Sequence, residues 1–466
     1  MNVLGGAKVA HVNTVDTSSG SAVMTLSSVP VGSQAFDPAL PQIKMDPSKR
    51  YQTIDGFGGA LTQSCVTNLM KLPKDERKAL LAQMFSPLQG GLSYLRVPVG
   101  ATDFSTKNYT YADDPKKGLA GFSISRDQNT LDILKDIVAI NPQAQIMLSV
   151  WSPPKWMKDS HSYDAGHLKP EDYDLYAQYF IKTIQAYETQ GLHVSSMTVA
   201  NEPHFTSSYS KWNSMQMTPQ NESDFVLNNL APDLKAAGLS PQVYLNDHNY
   251  EYVLQYTKVL ENSRLRQSIT GLAFHCYGGT LDQAKGLQEK YPEIATMNTE
   301  CTGSLGSKAD GDFSWWIEHQ GIAAQNKGFS GDIGWNLCLD QAGRPINQDQ
   351  SLIPFFGLNI DMICKNCRGM VTIVQNTSPK KFIFNPEYMA LSLMSRVEDP
   401  GSQRIGLEIS GSSSGINATA VQNQDGSYGM VVENQSALVQ TIQVQTALCQ
   451  TIEVQVPAHG ASSFRW

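Results

Sequence analysis

Short apolar runs alternate with amphipathic stretches from about residue 50 to residue 400, and this alternation restricts the possible folds more than any other feature. The runs cover residues 51–57, 92–99, 145–151, 194–200, 242–246, 269–275, 293–298 and 330–337. Near-continuous apolar runs of this kind suit strands buried on both faces, as in a parallel sheet. Between them, Tyr173, Tyr176, Ala177, Phe180, Ile181, Ile184 and Tyr187 fall on one face at three- and four-residue steps, which predicts a helix. Tyr252, Val253, Tyr256 and Val259 repeat the pattern after the fifth run. Eight strand–helix units predict an α/β fold, a (β/α)8 barrel with some long loops. A doubly wound open sheet is the alternative. It would carry a phosphate loop after its first strand, and "DGFGGALTQ" lacks the GxGxxG spacing.

The texture changes after Asp399-Pro400-Gly401. "GMVVENQSALVQTIQVQ" and "QTIEVQVPAHGASSFRW" alternate apolar and polar residues, as half-buried antiparallel strands do. Residues 412–415 and 424–426 read as turns, and residues 20–45 are strand-like. A chain of 466 residues is too long for one ordinary core. The expected division is N-terminal strands over 1–45, a catalytic barrel over 46–400, and a sandwich over 401–466 that the N-terminal strands complete.

Composition narrows the partners. The chain has 35 Lys and Arg against 43 Asp and Glu, a formal net charge of −8. That balance argues against nucleic acid or an anionic membrane surface as the main partner. Only 17% of residues are charged, while neutral polar residues are plentiful, a texture common in secreted proteins. No run of 18 apolar residues occurs, and the N-terminus has no basic start followed by an apolar core. The expectation is a secreted or extracellular protein whose leader lies outside this chain, with a cytoplasmic one as the alternative. Seven scattered cysteines do not read as a disulfide framework. Cys364 and Cys367 form a single C-x-x-C without the further ligands a zinc site needs, so free or locally bridged thiols are expected.

In a barrel, function sits at the C-terminal ends of the strands. The fourth run ends in Asn201-Glu202-Pro203, and Pro203 has no N–H with which to continue a ladder. The seventh run leads into Glu300, two residues on. Two glutamates after strands four and seven would face each other across the mouth. Asp103 and Tyr277 follow other runs, and Trp151, His275, Trp335 and Asn336 lie at or near the ends of theirs. Opposed carboxyls among aromatic rings suit glycoside hydrolysis, where one carboxyl protonates the leaving oxygen and the other attacks or directs water. His275 and Glu300 could ligate a metal, but no H-x-x-x-H pair supports one, and no G-x-S-x-G elbow marks a serine hydrolase. Trp315 and Trp316 read as packing inside a helix.

A string of motifs gives this reading a family. "DGFGGALTQSC" (55–65), "LSYLRVPVGATDFSTKNYTYADD" (92–114), "SVWSPPKWMK" (149–158), "TVANEPHF" (198–205), "GLAFHCYGG" (271–279), "MNTECTG" (297–303), "DIGWNLCLDQAGRP" (332–345) and "NPEYMALSLMSRVEDPGSQRIGL" (385–407) occur in order. From about residue 40 to the end the chain resembles glycoside hydrolase family 30, the family of glucosylceramidases and β-1,6-glucanases. The resemblance implies a (β/α)8 barrel with a side β-sandwich built from both chain ends, and retention of configuration. It implies Glu202 as acid/base and Glu300 as nucleophile. It implies that Asn201 bonds the sugar 2-hydroxyl, that Asp103, Trp151 and Trp335 line the sugar subsite, and that Tyr277 contacts the nucleophile. Cys276 and Cys301 depart from the lysosomal relatives, which tend to carry Trp and Ala there. The expected substrate is a β-glucoside: glucosylceramide first, with contact to a lipid surface, and β-1,6-glucan second. No cofactor is implied. A non-catalytic sugar- or lipid-binding protein on the same fold is the rival from another class.

Overall fold

Each of the eight runs carries or borders a strand in the computed structural model, which describes residues 9–32, 35–205, 212–346, 353–355, 358–360, 364, 366–411 and 415–466. The strands are β1 (Gly56–Ala60), β2 (Tyr94–Val99), β3 (Gln145–Val150), β4 (Ser196–Thr198), β5 (Gln242–Asn249), β6 (Gly271–His275), β7 (Ala295–Glu300) and β8 (Phe329–Gly334). Each pairs in parallel with the next, and β8 pairs with β1 to close the barrel. The expected first strand begins too early. Residues 51–53 end a strand of the side domain, and β1 starts at Gly56. The glycines of β1 serve close packing. A Cβ on Gly58 would fall 1.7 Å from the Tyr94 carbonyl oxygen, so the neighbouring strand can approach only a bare backbone.

Tyr94, Met147, Tyr244, Ala273, Met297 and Ile333 pack together as a buried layer from six of the eight strands. Residues two further along a strand share its face. Arg96, Ser149, His275 and Thr299 therefore follow Tyr94, Met147, Ala273 and Met297 on the inner face, one layer nearer the mouth. The predicted helix forms as α1 (Tyr173–Thr189), which buries Tyr176, Phe180, Ile184 and Tyr187. The second helical pattern is divided between two 3₁₀ turns, Tyr250–Tyr252 and Val259–Glu261, and a four-residue helix, Val253–Tyr256.

The side domain is a nine-stranded ladder closed on itself. It takes Val9–Asp16, Val23–Gly32 and Gln42–Thr53 from the N-terminal part, and Gln403–Ser410, Ile416–Gln422, Tyr428–Asn434, Gln440–Gln445, Thr451–Val456 and Gly460–Arg465 from the C-terminal part. Val12, Ile43, Ile405, Met430, Val432, Ile442, Ile452 and Phe464 form its own core. Its third strand runs past residue 45 to Thr53, where it pairs with Gln403. Gly426 closes the 424–426 turn at φ +85°, a backbone conformation glycine adopts without Cβ strain. The other expected turn falls largely on 412–414, outside the described residues.

Two expectations need correction. Trp316 is buried, but Trp315 is 38% exposed and stacks on His319, so only one of the pair is core. The scattered cysteines do pair, as Cys65–Cys338 and Cys276–Cys301, while Cys364–Cys367 is the local bridge allowed for and Cys449 is free and exposed. Scatter in sequence was a poor guide, because barrel closure brings the segments after β1 and β8 side by side. Among the described residues no helix is long and apolar enough to cross a membrane.

Candidate active site

Arg96 organises the barrel mouth. Its fully buried guanidinium donates to Glu300 Oε2 at 2.6 Å, Asn201 Oδ1 at 2.6 Å, Asp247 Oδ2 at 2.7 Å and Ser149 Oγ at 3.1 Å. Its carbon also lies 4.7 Å from the Trp151 ring centroid. Asp247 in turn accepts from Ser149, Thr198, Thr299 and the His275 ring. Burial alone would push the Asp247 carboxyl up, but the Arg96 charge and the His275 and Thr198 hydrogen bonds hold it far below the carboxylate range. Hydrogen bonds and charge pairing thereby compensate the desolvation of both ions.

Backbone irregularities aim the side chains. The register of β5 shifts between Asn246 and His248, and Asn246 and Asp247 sit at φ +70° and +39°. The register of β7 shifts between Asn298 and Glu300. Such bulges turn a side chain that strict alternation would point elsewhere. Glu202, just past β4, also has positive φ, +47°, and its N–H donates to the Asp247 carbonyl at 2.9 Å. The strained strand end of β4 is thus tied to the bulge of β5.

Glu202 and Glu300 meet as their strand positions predict. One oxygen of each carboxyl and a nitrogen of His275 all lie within 4.8 Å of one another. Tyr277 donates to Glu300 Oε1 at 3.0 Å, and His275 Nδ1 is 3.3 Å from Glu202 Oε1. The trio could in principle hold an ion, but each member is already paired, and the Arg96 cation occupies one side of Glu300. Burial pushes the His275 imidazole down, and the Glu300 charge with the Asp247 and Glu202 hydrogen bonds more than offsets it, raising the pKa to about 9. Burial pushes Glu202 up, but the His275 hydrogen bond and nearby cations outweigh it and hold this carboxyl low. Glu300 goes the other way, pushed up by burial and by the Glu202 charge.

The remaining expected residues gather there too. Trp151 and Trp335 stack at 5.4 Å and 22°, with Phe104 edge-on to Trp335. Asp103 is half-buried within reach of both glutamates; burial and then the Glu300 and Glu202 charges push its carboxyl well up. Asn336, at φ +61°, accepts from Thr62. Sequence reasoning missed Arg96, Asp247 and His248. The available signals were an arginine inside the apolar run "LSYLRVPVG" and an acid in "YLNDHNY" at the end of run five. A cleft of about 900 Å³ elsewhere, lined by Lys308, Lys381 and His459, holds none of these residues.

Comparison with known proteins gives the chain a family. The family model described as the glycosyl hydrolase family 30 TIM-barrel domain matches residues 54–351, and that for the family 30 β-sandwich domain matches residues 401–464. A solved endo-β-1,6-glucanase superposes with a TM-score of 0.85 at 31% identity, covering 98% of this chain and 99% of that one. The endo-1,6-β-D-glucanase of Neurospora crassa is 28% identical over 84% of this chain and 80% of its own length. The lysosomal acid glucosylceramidase of Mus musculus is 25% identical over 91% of this chain and 83% of its own.

Proposed function

This chain belongs to glycosyl hydrolase family 30, and on that premise we propose that it is a retaining β-glycosidase that cuts β-1,6-linked glucan, with Glu300 as nucleophile and Glu202 as acid/base. The observation that carries the mechanism is the closeness of the two carboxyls, whose nearest ligand oxygens are within 4.8 Å. Retaining enzymes place the groups about 5–5.5 Å apart, and inverting ones leave about 6.5–9.5 Å for a water. In the first step a Glu300 oxygen bonds the anomeric carbon, the glycosidic C–O bond breaks, and the Glu202 proton goes to the departing oxygen. In the second, Glu202 takes a proton from water, whose oxygen replaces Glu300 at the same carbon. Asn201, held through its carbonyl oxygen by Arg96, keeps its amide nitrogen for the sugar 2-hydroxyl. The Trp151–Trp335 pair provides an apolar face for the ring.

The resting charges bear on rate. Two carboxyls this close titrate as a coupled pair. The scheme needs the proton on Glu202 and the charge on Glu300. Arg96 at 2.6 Å and Tyr277 at 3.0 Å both donate to Glu300 and favour its ionised form.

The β-1,6-glucan reading is supported by the solved endo-β-1,6-glucanase, which matches along nearly the whole chain. Glucosylceramide, first in the sequence reading, becomes the second, supported by the lysosomal relative; it would require contact with a lipid surface. Extracellular location is proposed on the three disulfides, which persist in oxidising compartments. The test is hydrolysis of β-1,6-glucan, glucosylceramide, xylan and an aryl β-glucoside, with NMR of the first-formed anomer. Release of β-anomer from β-1,6-glucan is expected. An α-anomer would overturn retention, preference for glucosylceramide would reverse the substrate order, and no turnover of any substrate would favour the non-catalytic binding protein.

A further inference from the structure

Cys276 and Cys301 are the residues that immediately follow His275 and Glu300, and they are joined. The join follows from register. His275 and Glu300 are partners on β6 and β7, so the next residue on each strand lies opposite the other, with Cα atoms 5.3 Å apart. The surrounding ladder is weak at this level. The register of β7 shifts just before Glu300, and its described pairing with β8 ends at Asn298 and Asp332. Beyond that point the backbone of the nucleophile is held by a 3.2 Å bond from the Cys276 N–H to the Glu300 carbonyl and a 2.6 Å bond from the Trp335 N–H to the Cys301 carbonyl.

Tyr277 needs such a hold. It is 44% exposed and lies in a turn, where its ring meets His275 edge-on at 6.0 Å and its hydroxyl reaches Glu300. A half-exposed tyrosine on a turn gains little from packing and loses rotamer freedom when fixed on one acceptor. The bridge begins at the residue before it and ends at the residue after its acceptor. We propose that the Cys276–Cys301 disulfide is a positioning element for the displacement: it sets Tyr277 on Glu300 and fixes the nucleophile relative to Trp335. This rests on the reading of Glu300 as nucleophile. Cys276 and Cys301 touch no reacting atom in this scheme; they act through Tyr277 and Trp335.

The experiment compares Cys276→Ala/Cys301→Ala, Cys276→Ser/Cys301→Ser, Tyr277→Phe and the combination of Tyr277→Phe with the double alanine variant. Aryl β-glucoside turnover is measured well below the melting temperature across pH. A displacement of about 1 Å at a reacting centre can cost about 100-fold, so kcat is expected to fall about 10- to 100-fold in both double variants, with KM changed less than about threefold. The acid limb of the pH profile should move to higher pH, because Glu300 loses a donor to its ionised form. Adding Tyr277→Phe to the double alanine variant should change kcat little further. Full additivity of the two effects, or unchanged kcat with only a lower melting temperature, would make the bridge a stabilising cross-link and overturn the proposal. Failure of both double variants to fold would do the same. Glu300→Gln is the control on the underlying reading: if it turns over, the nucleophile assignment fails, whereas an inactive Glu300→Gln with additive effects refutes only the bridge.

Discussion

The buried arginine of the barrel mouth holds two carboxylates together. Arg96 touches Asp247 and Glu300 at once, with no exposure of its own side chain. Removing one partner of a buried ion pair costs about 3–5 kcal/mol, because the other charge is left uncompensated. Arg96→Met should therefore lower unfolding free energy by about that amount and abolish turnover, and Asp247→Asn in the same chain should restore part of the stability. Denaturant titration of the three proteins decides it; a loss below about 1 kcal/mol in Arg96→Met would show that the pair is not a stabilising centre. In the proposed scheme His275 acts on Glu202 in a similar way. Glu202 must be protonated to act as acid, so activity should fall as pH rises through the upper pKa of the pair. A Glu202 held low by His275 places the optimum on the acid side. His275→Gln removes that donor, so the alkaline limb of kcat/KM should move to higher pH, and an unmoved limb would exclude His275 as the cause. Glu202→Gln separates the two glutamates. A dinitrophenyl glucoside needs little protonation, so its first step should survive, and azide, which needs no base, should restore turnover as β-glucosyl azide. Acid–base assistance is worth about 10²–10⁴-fold; Glu202→Gln should lose about that factor on unactivated substrates, and absence of azide rescue would remove Glu202 from its role.

At the scale of elements, the strand ends and the helices behind them are linked by buried polar contacts. Glu222, in the helix Pro219–Phe225, hydrogen-bonds to Tyr256, at the end of the helix Val253–Tyr256, and both are buried. Burial raises the Glu222 carboxyl from 4.5 to about 8, so the folded protein keeps it neutral at pH 7. The sign follows from proton counting. Between pH 4.5 and 8 the folded state binds the proton and the unfolded state does not, so this contribution is full below pH 4.5 and is lost as pH rises through about 8. Glu222→Gln is neutral at every pH and escapes that loss. The melting temperature of Glu222→Gln relative to wild type should therefore rise steadily from pH 5 to pH 8. A difference that stays constant with pH would show that Glu222 is ionised in the fold.

The whole molecule is a closed parallel barrel whose side domain draws on both parts of the chain. Val9–Asp16 pairs with Gly460–Arg465, and Val23–Gly32 pairs with Thr451–Val456. Deleting residues 1–32 would leave two C-terminal strands with an open edge and bare the apolar face that Ala10 and Val12 cover; aggregation and a lower melting temperature are expected. A truncated chain that stays monomeric and equally heat-stable in light scattering and calorimetry would contradict that architecture. Much of this plan was legible beforehand. An apolar run between two sheet faces needs no knowledge of its partner, so the eight strands and the long helix Tyr173–Thr189 could be read locally. That Glu202 and Glu300 meet at the mouth could be read because both stand at the C-terminal ends of barrel strands. Local pattern misled at β1, whose glycines record the closeness of Tyr94 on the next strand, and at the cysteines, whose partners lie up to 273 residues away. Arg96 was visible only as an oddity in "LSYLRVPVG", because the groups that make it tolerable come from β3, the end of β4, β5 and β7. The sequence by itself determined the strands, the barrel and the two carboxyls, since periodicity and strand-end position are properties of neighbouring residues. Only the tertiary structure decided which charges compensate Arg96, which cysteines bridge and which glutamate is held low, since burial and Coulomb interactions depend on distances that barrel closure sets.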